Sequence, residues 1–519
     1  MSNRSGGRLT AFLRGLCIIA PALLGACATV DYDFPKAESH AITDTSSTTL
    51  GAELAPLVAA HPGQSGFQLQ PDGIEALASR LVLAGQAEES IDVQYYLITD
   101  DMVGFLFLGS LVKAADRGVR VRLLLDDILT QGYDTGMAAL DSHPNIQIRI
   151  FNPWKSRGLR ALDIGSYSTL NRRMHNKSFT VDNSITVIGG RNIADEYFGA
   201  AKDVNFGDID VLGIGPVVQE VSDMFDQYWN SEKAMPVPAF ADMPDDPDQA
   251  LKQLRKRLED TEQSARESRY GAAVIADADK FINATEDMLA WAPYRLAVDS
   301  PDKAEKKLAA EAAKITDTLA EVVAEAEHEL TVISPYFVPR KSGVEYFQTL
   351  VDRGLDVTVI TNSLAANNHG IVHSGYMGYR KKLLKMGVKL YEVKVTASIE
   401  GVERGGSGAE LATLHTKAFI VDREMLFVGS FNWDPRSVDI NTELGVVIES
   451  PEIAGATAAQ VDASLATKVY QVELDERGKL QWVDRSGQEL RILTKEPDTT
   501  WWRRTKAQLG RWLPIHSQL

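Results

Sequence analysis

The sequence predicts an α/β protein of two mixed sheets flanked by helices, related by pseudo-two-fold symmetry, with the active site between the halves. Two observations carry that expectation: a strand–helix–strand unit written twice, and a polar motif repeated at one constant spacing. In the first copy, residues 91–98 read as a strand, an apolar-periodic helix ends in Asp116-Arg117-Gly118, and residues 119–125 form the next strand. In the second, residues 330–337 open a matching unit, the helix ends in Asp352-Arg353-Gly354, and residues 355–360 follow as a strand. Gly118 and Gly354 supply the left-handed helix stop. Strand, helix and strand in close succession imply right-handed crossovers and a largely parallel or mixed sheet.

Composition agrees with a folded body. Of 519 residues, 44% are hydrophobic and 24% charged, which excludes disorder, and the length suits about three domains or two large ones. Cys17 and Cys27 are the only cysteines, so neither a disulfide scaffold nor a cysteine zinc site is available. A net charge of −17, from 54 basic and 71 acidic residues, weighs against a broad nucleic-acid surface.

Residues 1–26 read as an export address. Arg4, Arg8 and Arg14 precede the apolar run 16–24, which is too short to span a bilayer. The run ends in Leu24-Gly25-Ala26-Cys27, which resembles a bacterial lipoprotein lipobox. That resemblance implies a lipoprotein signal peptide over 1–26 and lipidation of the Cys27 thiol. Ala28 in the following position resembles an outer-membrane sorting signal. The implied place is the bacterial envelope, lipid-anchored at the outer membrane facing the periplasm; an ordinary cleaved signal is the alternative. Without residues 1–26 the net charge becomes −20.

Residues 27–66, rich in Ser, Thr, Ala and Pro, read as a tether, and 67–235 as the first repeat. Residues 236–284 read as a helical linker opened by Pro236, Pro238, Pro244 and Pro247. Its charged stretch 248–268, like 302–328 later, fits solvated amphipathic helices without chemistry. The second repeat spans 285–480. The tail 481–519 holds Trp501-Trp502-Arg503-Arg504 and no acidic residue after Asp498. Two readings stay open for it: an interfacial helix on anionic lipid, or an amphipathic helix docked on the body. No further stretch approaches 18 uninterrupted apolar residues, so no internal transmembrane helix is expected.

The chemistry sits in the repeated motif. Met174-His175-Asn176-Lys177-Ser178-Phe179-Thr180-Val181-Asp182 is followed by Gly189-Gly190-Arg191-Asn192. Leu414-His415-Thr416-Lys417-Ala418-Phe419-Ile420-Val421-Asp422 is followed by Gly429-Ser430-Phe431-Asn432. His, Lys, Asp and Asn are each displaced by 240 residues. Both stretches read as strands entering hairpins, with turns near Asp182-Asn183 and Asp422-Arg423. A period of two puts His175 with Lys177, and His415 with Lys417, on one face. Asp182 and Asp422 fall on the other face, which suits anchoring the turn, yet as members of the repeated motif they are counted with His175, Lys177, His415 and Lys417 as candidate catalytic residues. Brought together, two imidazoles, two ammonium groups and the Asn192 and Asn432 amides form a cradle for one phosphodiester, with an imidazole on each side for in-line displacement.

This pattern resembles the phospholipase D superfamily, over nearly all of the mature chain, and more closely its bacterial cardiolipin synthase-like members with lipoprotein-like leaders. The resemblance implies the duplicated phospholipase D fold and a phosphohistidine mechanism, with His175 attacking phosphorus and His415 as acid/base. It also implies a downstream carboxylate orienting each His. The matching candidates are Asp208, 33 residues after His175, and Glu443, 28 after His415. Ser430 supplies a hydroxyl for which the first half has only Gly190. The resemblance suggests substrate contact at His373 and Tyr376, against a bland reading as loop packing. No His, Asp and Glu grouping has metal-ligand spacing, and no metal or cofactor is expected.

The leading expectation is phosphatidyl transfer making cardiolipin, with phospholipids such as phosphatidylglycerol and phosphatidylethanolamine as partners. Phospholipase D hydrolysis to phosphatidic acid is the close rival, since both share the phosphohistidine. An envelope nuclease is disfavoured by the acidic charge, so no nucleic-acid partner is expected. A non-catalytic lipid-binding lipoprotein has no use for two motifs. One chain carries both motifs, so a monomer suffices.

Overall fold

The computed structural model describes residues 29–158, 160, 163, 165, 167–283, 288–367, 370–395 and 411–511. Cys27, the signal segment, His369 and His516 lie outside the described residues.

The first half contributes β1 (Ser65–Gln70), β2 (Ser90–Tyr95), β3 (Arg120–Asp126), β4 (Ile146–Phe151), β5 (Ser178–Val181), β6 (Ile185–Gly189), β7 (Val204–Gly207), β8 (Asp210–Ile214) and β9 (Ala234–Pro236). After β10 (Ala290–Ala292), the second half contributes β11 (Tyr294–Val298), β12 (Glu329–Ile333), β13 (Asp356–Asn362), β14 (Lys389–Val393), β15 (Leu411–Leu414), β16 (Ala418–Val421), β17 (Met425–Gly429) and β18 (Leu444–Glu449). β19 (Val469–Leu474), β20 (Leu480–Asp484) and β21 (Arg491–Leu493) complete it. One sheet runs β10-β1-β8-β6-β5-β2-β3-β4-β9, the other β11-β18-β17-β16-β12-β13-β14-β19-β20-β21. The cores β8-β6-β5-β2-β3-β4 and β18-β17-β16-β12-β13-β14 are one design used twice, parallel on one side and antiparallel on the other.

Register follows the repeat. Ser178 pairs with Ile188 and Val181 with Ile185, as Ala418 pairs with Val428 and Val421 with Met425. Both hairpins turn through positive φ, at Asp182 and Asn183 (46° and 44°) and at Asp422 and Arg423 (51° and 58°). The Asp182 carboxylate accepts the backbone N–H groups of Glu88, Glu89 and Ser90 at 2.8–2.9 Å. Asp422 accepts those of Glu327, His328 and Glu329 at 2.7–2.8 Å. Each motif aspartate thus ties its hairpin to the start of the adjacent antiparallel strand, β2 or β12. Gly118 and Gly354 hold φ of 102° and 92° at the helix stops.

The halves share a core. Ile188, Val211, Phe225 and Trp229 belong to one buried cluster with Ile420, Leu426, Val446 and Ile448, so the sheets cover each other's apolar faces. A second cluster lies under the helices of the first half and a third under those of the second.

Several expected boundaries move. Residues 30–48 are packed rather than a free tether: Val30, Thr45 and Thr48 are buried. Lys36 Nζ donates to the carbonyls of Ser231 and Ala234, Ala41 N–H to Asp226, and Arg122 to the Ser39 carbonyl. The helix Thr49–Ala60 and β1 follow. The crossover falls at Pro293, because β10 pairs with β1 of the first sheet and β11 with β18 of the second. The second sheet also runs past 480, through β20 and β21. The linker helices Pro247–Arg266 and Arg269–Ile282 bury Leu258, Ala265, Tyr270 and Val274 against the first half, leaving only their outer faces to solvent. Among the described residues, no helix is long and apolar enough to cross a membrane.

Candidate active site

Each motif histidine rides on an arm that leaves its own sheet and pairs with the opposite half. Met174 and Thr442 form a parallel bridge: His175 N–H donates to the Thr442 carbonyl at 2.8 Å, and Thr442 N–H to the Arg173 carbonyl at 2.9 Å. In the pseudo-equivalent position β15 pairs with β7, and His415 N–H donates to the Gly207 carbonyl at 2.7 Å. Gly207 immediately precedes Asp208, and Thr442 immediately precedes Glu443. The two arms therefore carry each imidazole to the carboxylate of the other half.

The side chains follow. His175 Nδ1 lies 2.7 Å from Glu443 Oε2, and His415 Nδ1 lies 2.5 Å from Asp208 Oδ2. The pairing expected from position along the chain, Asp208 with His175 and Glu443 with His415, is reversed. The physical reason is the strand exchange: backbone pairing with the facing half fixes which carboxyl each ring meets.

The dyads differ. Glu443 accepts Ser430 Oγ at 2.5 Å and Ser437 Oγ at 2.7 Å, while its N–H donates to Asp299 at 2.9 Å. Burial works against its charge, but His175, Lys177 and Ser430 prevail and hold the carboxyl down at about 2. Burial, with Lys177 and Lys417 adding to it, lowers His175 to about 4 against the pull of Glu443. A neutral ring beside an ionised carboxylate donates through Nδ1 and keeps its lone pair on Nε2. Asp208 is pushed up by burial and also accepts the N–H of Ile209 at 2.9 Å. Gly190 is required beside it: a Cβ there would meet the Asp208 carboxyl at 2.3–2.6 Å. Ser430 and a longer Glu occupy in one half the space that Gly190 and a shorter Asp leave in the other.

Lys177 Nζ donates to the His175 carbonyl at 2.6 Å, and Lys417 Nζ to the His415 carbonyl, 3.9 Å from Asp208. Both ammonium groups are buried. Burial brings Lys177 to about 7, with Lys417 repelling it, and Lys417 to about 8. A pair of lysines held this way gains its full charge when an anion joins them. Asn192 donates through Nδ2 to Tyr197 Oη at 2.9 Å, and the Asn432 N–H donates to Ser437 Oγ at 3.2 Å. Asp182 and Asp422, counted among the candidate catalytic residues, are instead turn anchors: they stand at the hairpin tips with their carboxylates taken up by backbone N–H groups.

Residues the sequence did not single out complete the walls. Tyr96 meets the His175 ring edge-on at 4.9 Å, Tyr197 meets His415 at 5.0 Å, and Phe206 stacks on His415 at 5.4 Å. Tyr336 approaches the same ring at 6.3 Å. Tyr96 and Tyr336 follow the carboxyl ends of β2 and β12, where open α/β sheets place their sites, and that position was the available signal. His373 and Tyr376 do not join them. Both are buried, His373 hydrogen-bonded to Arg380 at 2.7 Å and Tyr376 packed on Phe337. Arg380 in turn pairs with Glu392 and Glu496, so this segment packs inward rather than facing the cradle.

Two imidazole–carboxylate dyads, two lysines and two carboxamides at a duplicated interface define a phospholipase D-superfamily enzyme. The family model described as "Cardiolipin synthase, PLD-like domain" matches residues 81–229 and 319–465, once per half. Cardiolipin synthase C of Escherichia coli K12 is 42% identical over 475 residues, covering 90% of this chain and 98% of that protein. An uncharacterized protein of Helicobacter pylori J99 is 30% identical, covering 85% of this chain and 87% of its own. Among solved structures, phosphatidylserine synthase of Haemophilus influenzae Rd KW20 shares the fold, with a TM-score of 0.54 at 11% identity, covering 90% of this chain and all of that one. The chain belongs to the cardiolipin synthase, PLD-like domain family.

Proposed function

We propose that the protein transfers a phosphatidyl group between phospholipids and makes cardiolipin. The observation that carries this reading is the 42% identity to cardiolipin synthase C along almost the whole chain, with both motifs present. His175 Nε2 attacks the phosphodiester phosphorus, and the bond to the leaving alcohol breaks as His415 gives that oxygen a proton. The neutral His415 then takes the proton of an incoming hydroxyl, from phosphatidylglycerol, whose oxygen displaces His175 and restores it. Lys177, Lys417, Asn192 and Asn432 hold the non-bridging oxygens throughout. Nothing in the ionisation of His175 opposes this, since it is neutral at pH 7.

The test incubates the purified enzyme with labelled phosphatidylglycerol, alone and with phosphatidylethanolamine. Diphosphatidyl product is expected; phosphatidic acid alone would make the enzyme a hydrolase, and inert lipid with cleaved DNA a nuclease. Lipidation at Cys27 belongs to the same reading and holds the body at the outer membrane. The helix Trp501–Gly510 supports contact with the bilayer, because Trp501, Trp502 and Leu509 are 55–68% exposed beside Lys506. Cys27→Ser should release the protein from the membrane fraction, and retention at wild-type level would contradict the anchor.

A further inference from the structure

A cavity of about 500 Å³ opens in the first half beside the catalytic dyad, between the segment that follows β2, strands β3 and β4, the helices Met102–Asp116 and Asp134–Asp141, and the linker helix Pro247–Arg266. Its walls are mostly apolar, with Phe105, Leu108, Leu125, Met137 and Leu254 among them. Folded interiors are close-packed, and a space of this size falls in the range of ligand sites rather than packing faults.

Its ends differ. At one stand Tyr96, whose ring abuts His175 at 4.9 Å, and Asp126, which accepts the N–H of Met174 at 2.8 Å. Tyr96 is thus a wall common to the cavity and the dyad. Leu129 and Tyr133 also line the space and are 55% and 37% exposed, so apolar side chains flank an opening to the outside. The linker helix roofs the space with Leu254 and Leu258, and at its edge Arg257 lies over the Phe105 ring and pairs with Asp100 at 2.7 Å. A stretch that reads from sequence as a solvated spacer therefore covers this cavity.

We propose that this cavity receives one acyl chain of the phospholipid whose phosphodiester lies between His175 and His415. The inference rests on the phospholipid reading of the site and adds where the lipid's apolar part goes. Only an extended apolar group tethered close to the phosphate satisfies both ends: it reaches past Tyr96 and removes the Leu and Phe walls from water. The second chain stays with the membrane at the flanking Leu129 and Tyr133.

The test compares phosphatidylglycerol carrying two hexanoyl or two octanoyl chains, each below its aggregation concentration. Burying two further methylenes of a single chain should lower KM about fifteenfold, about fourfold per methylene, with kcat nearly constant. Gly136 lines the cavity at an exposed position where a Cβ meets open space, so Gly136→Phe adds a ring at the cavity rim without a backbone clash. Ala139→Phe adds a ring from the same helix and serves as the second variant. Both should abolish the chain-length dependence of KM while the melting temperature stays near wild type. A dependence equally steep in wild type and in a folded variant would overturn the acyl site while leaving the phospholipid reading intact. No turnover of either lipid by wild type would refute that reading and the inference with it.

Discussion

Glu443→Gln, a change in the second half, should disable the imidazole of the first. The carboxylate accepts His175 Nδ1–H at 2.7 Å and two serine hydroxyls, and it is ionised far below neutrality. When His175 Nε2 bonds to phosphorus the ring becomes cationic, and Glu443 is the anion beside it. An amide keeps the size but removes the charge, and it can turn its NH₂ toward Nδ1, which would favour the wrong tautomer. Hydrogen bonds to ionised partners contribute about 1.5–3 kcal/mol each. With the tautomer penalty the loss is about 3–4 kcal/mol, or 10²–10³ in kcat. KM should change little, since Glu443 is buried behind the ring. Turnover of labelled phosphatidylglycerol measures the loss, and nitrogen NMR of the labelled imidazoles locates it. The His175 ring should shift and the His415 ring should not. Activity within threefold of wild type, or a shift confined to His415, would refute the crossed pairing.

Gly190→Ser, which copies the second half into the first, should destabilise by about 1–3 kcal/mol and cut activity, because the new Cβ enters the Asp208 carboxyl; urea unfolding checks it, and an unchanged midpoint would contradict the steric account. Lys177 and Lys417 titrate near 7 and 8, below the usual lysine value. Their charge is present below those values and lost as pH rises through them, so tungstate affinity should fall above pH 8. Calorimetry in buffers of different ionisation enthalpy should find proton uptake on binding near that pH. Asp422→Ala should cost about 1–3 kcal/mol through three lost N–H bonds. The folded Asp422 lies below its unfolded value, since its three N–H bonds outweigh the larger effect of burial. Its stabilisation is thus full above pH of about 4 and lost as pH falls through the folded value. The deficit of the variant should accordingly shrink in acid, and a deficit constant with pH would contradict that linkage.

Much of this was legible in the chain. The 240-residue offset fixed the two hairpins to the residue, and strand parity removed Asp182 and Asp422 from the cradle. What stayed hidden depends on contacts between halves. Parity describes a residue's own strand, whereas His175 and His415 sit on arms that pair with Thr442 and Gly207 across the interface. The unequal spacings to Asp208 and Glu443 therefore gave no hint of the exchange. Residues 30–48 lack periodicity because polar and backbone bonds to Ser231, Asp226 and Arg122 hold them, with no apolar stripe. His373 gave no sign of its burial in the sequence because the side chain it bonds, Arg380, is itself a charged residue.

The central claim is that one phosphorus atom sits between His175 and His415 and is taken first by His175. Quenching the wild-type enzyme during turnover of phosphorus-labelled phosphatidylglycerol in alkaline denaturant, then mapping the label by mass spectrometry, tests it most directly. The account predicts an acid-labile, base-stable phosphatidyl adduct on the peptide carrying His175. An adduct on the His415 peptide, or none on an enzyme that is turning over, would contradict it.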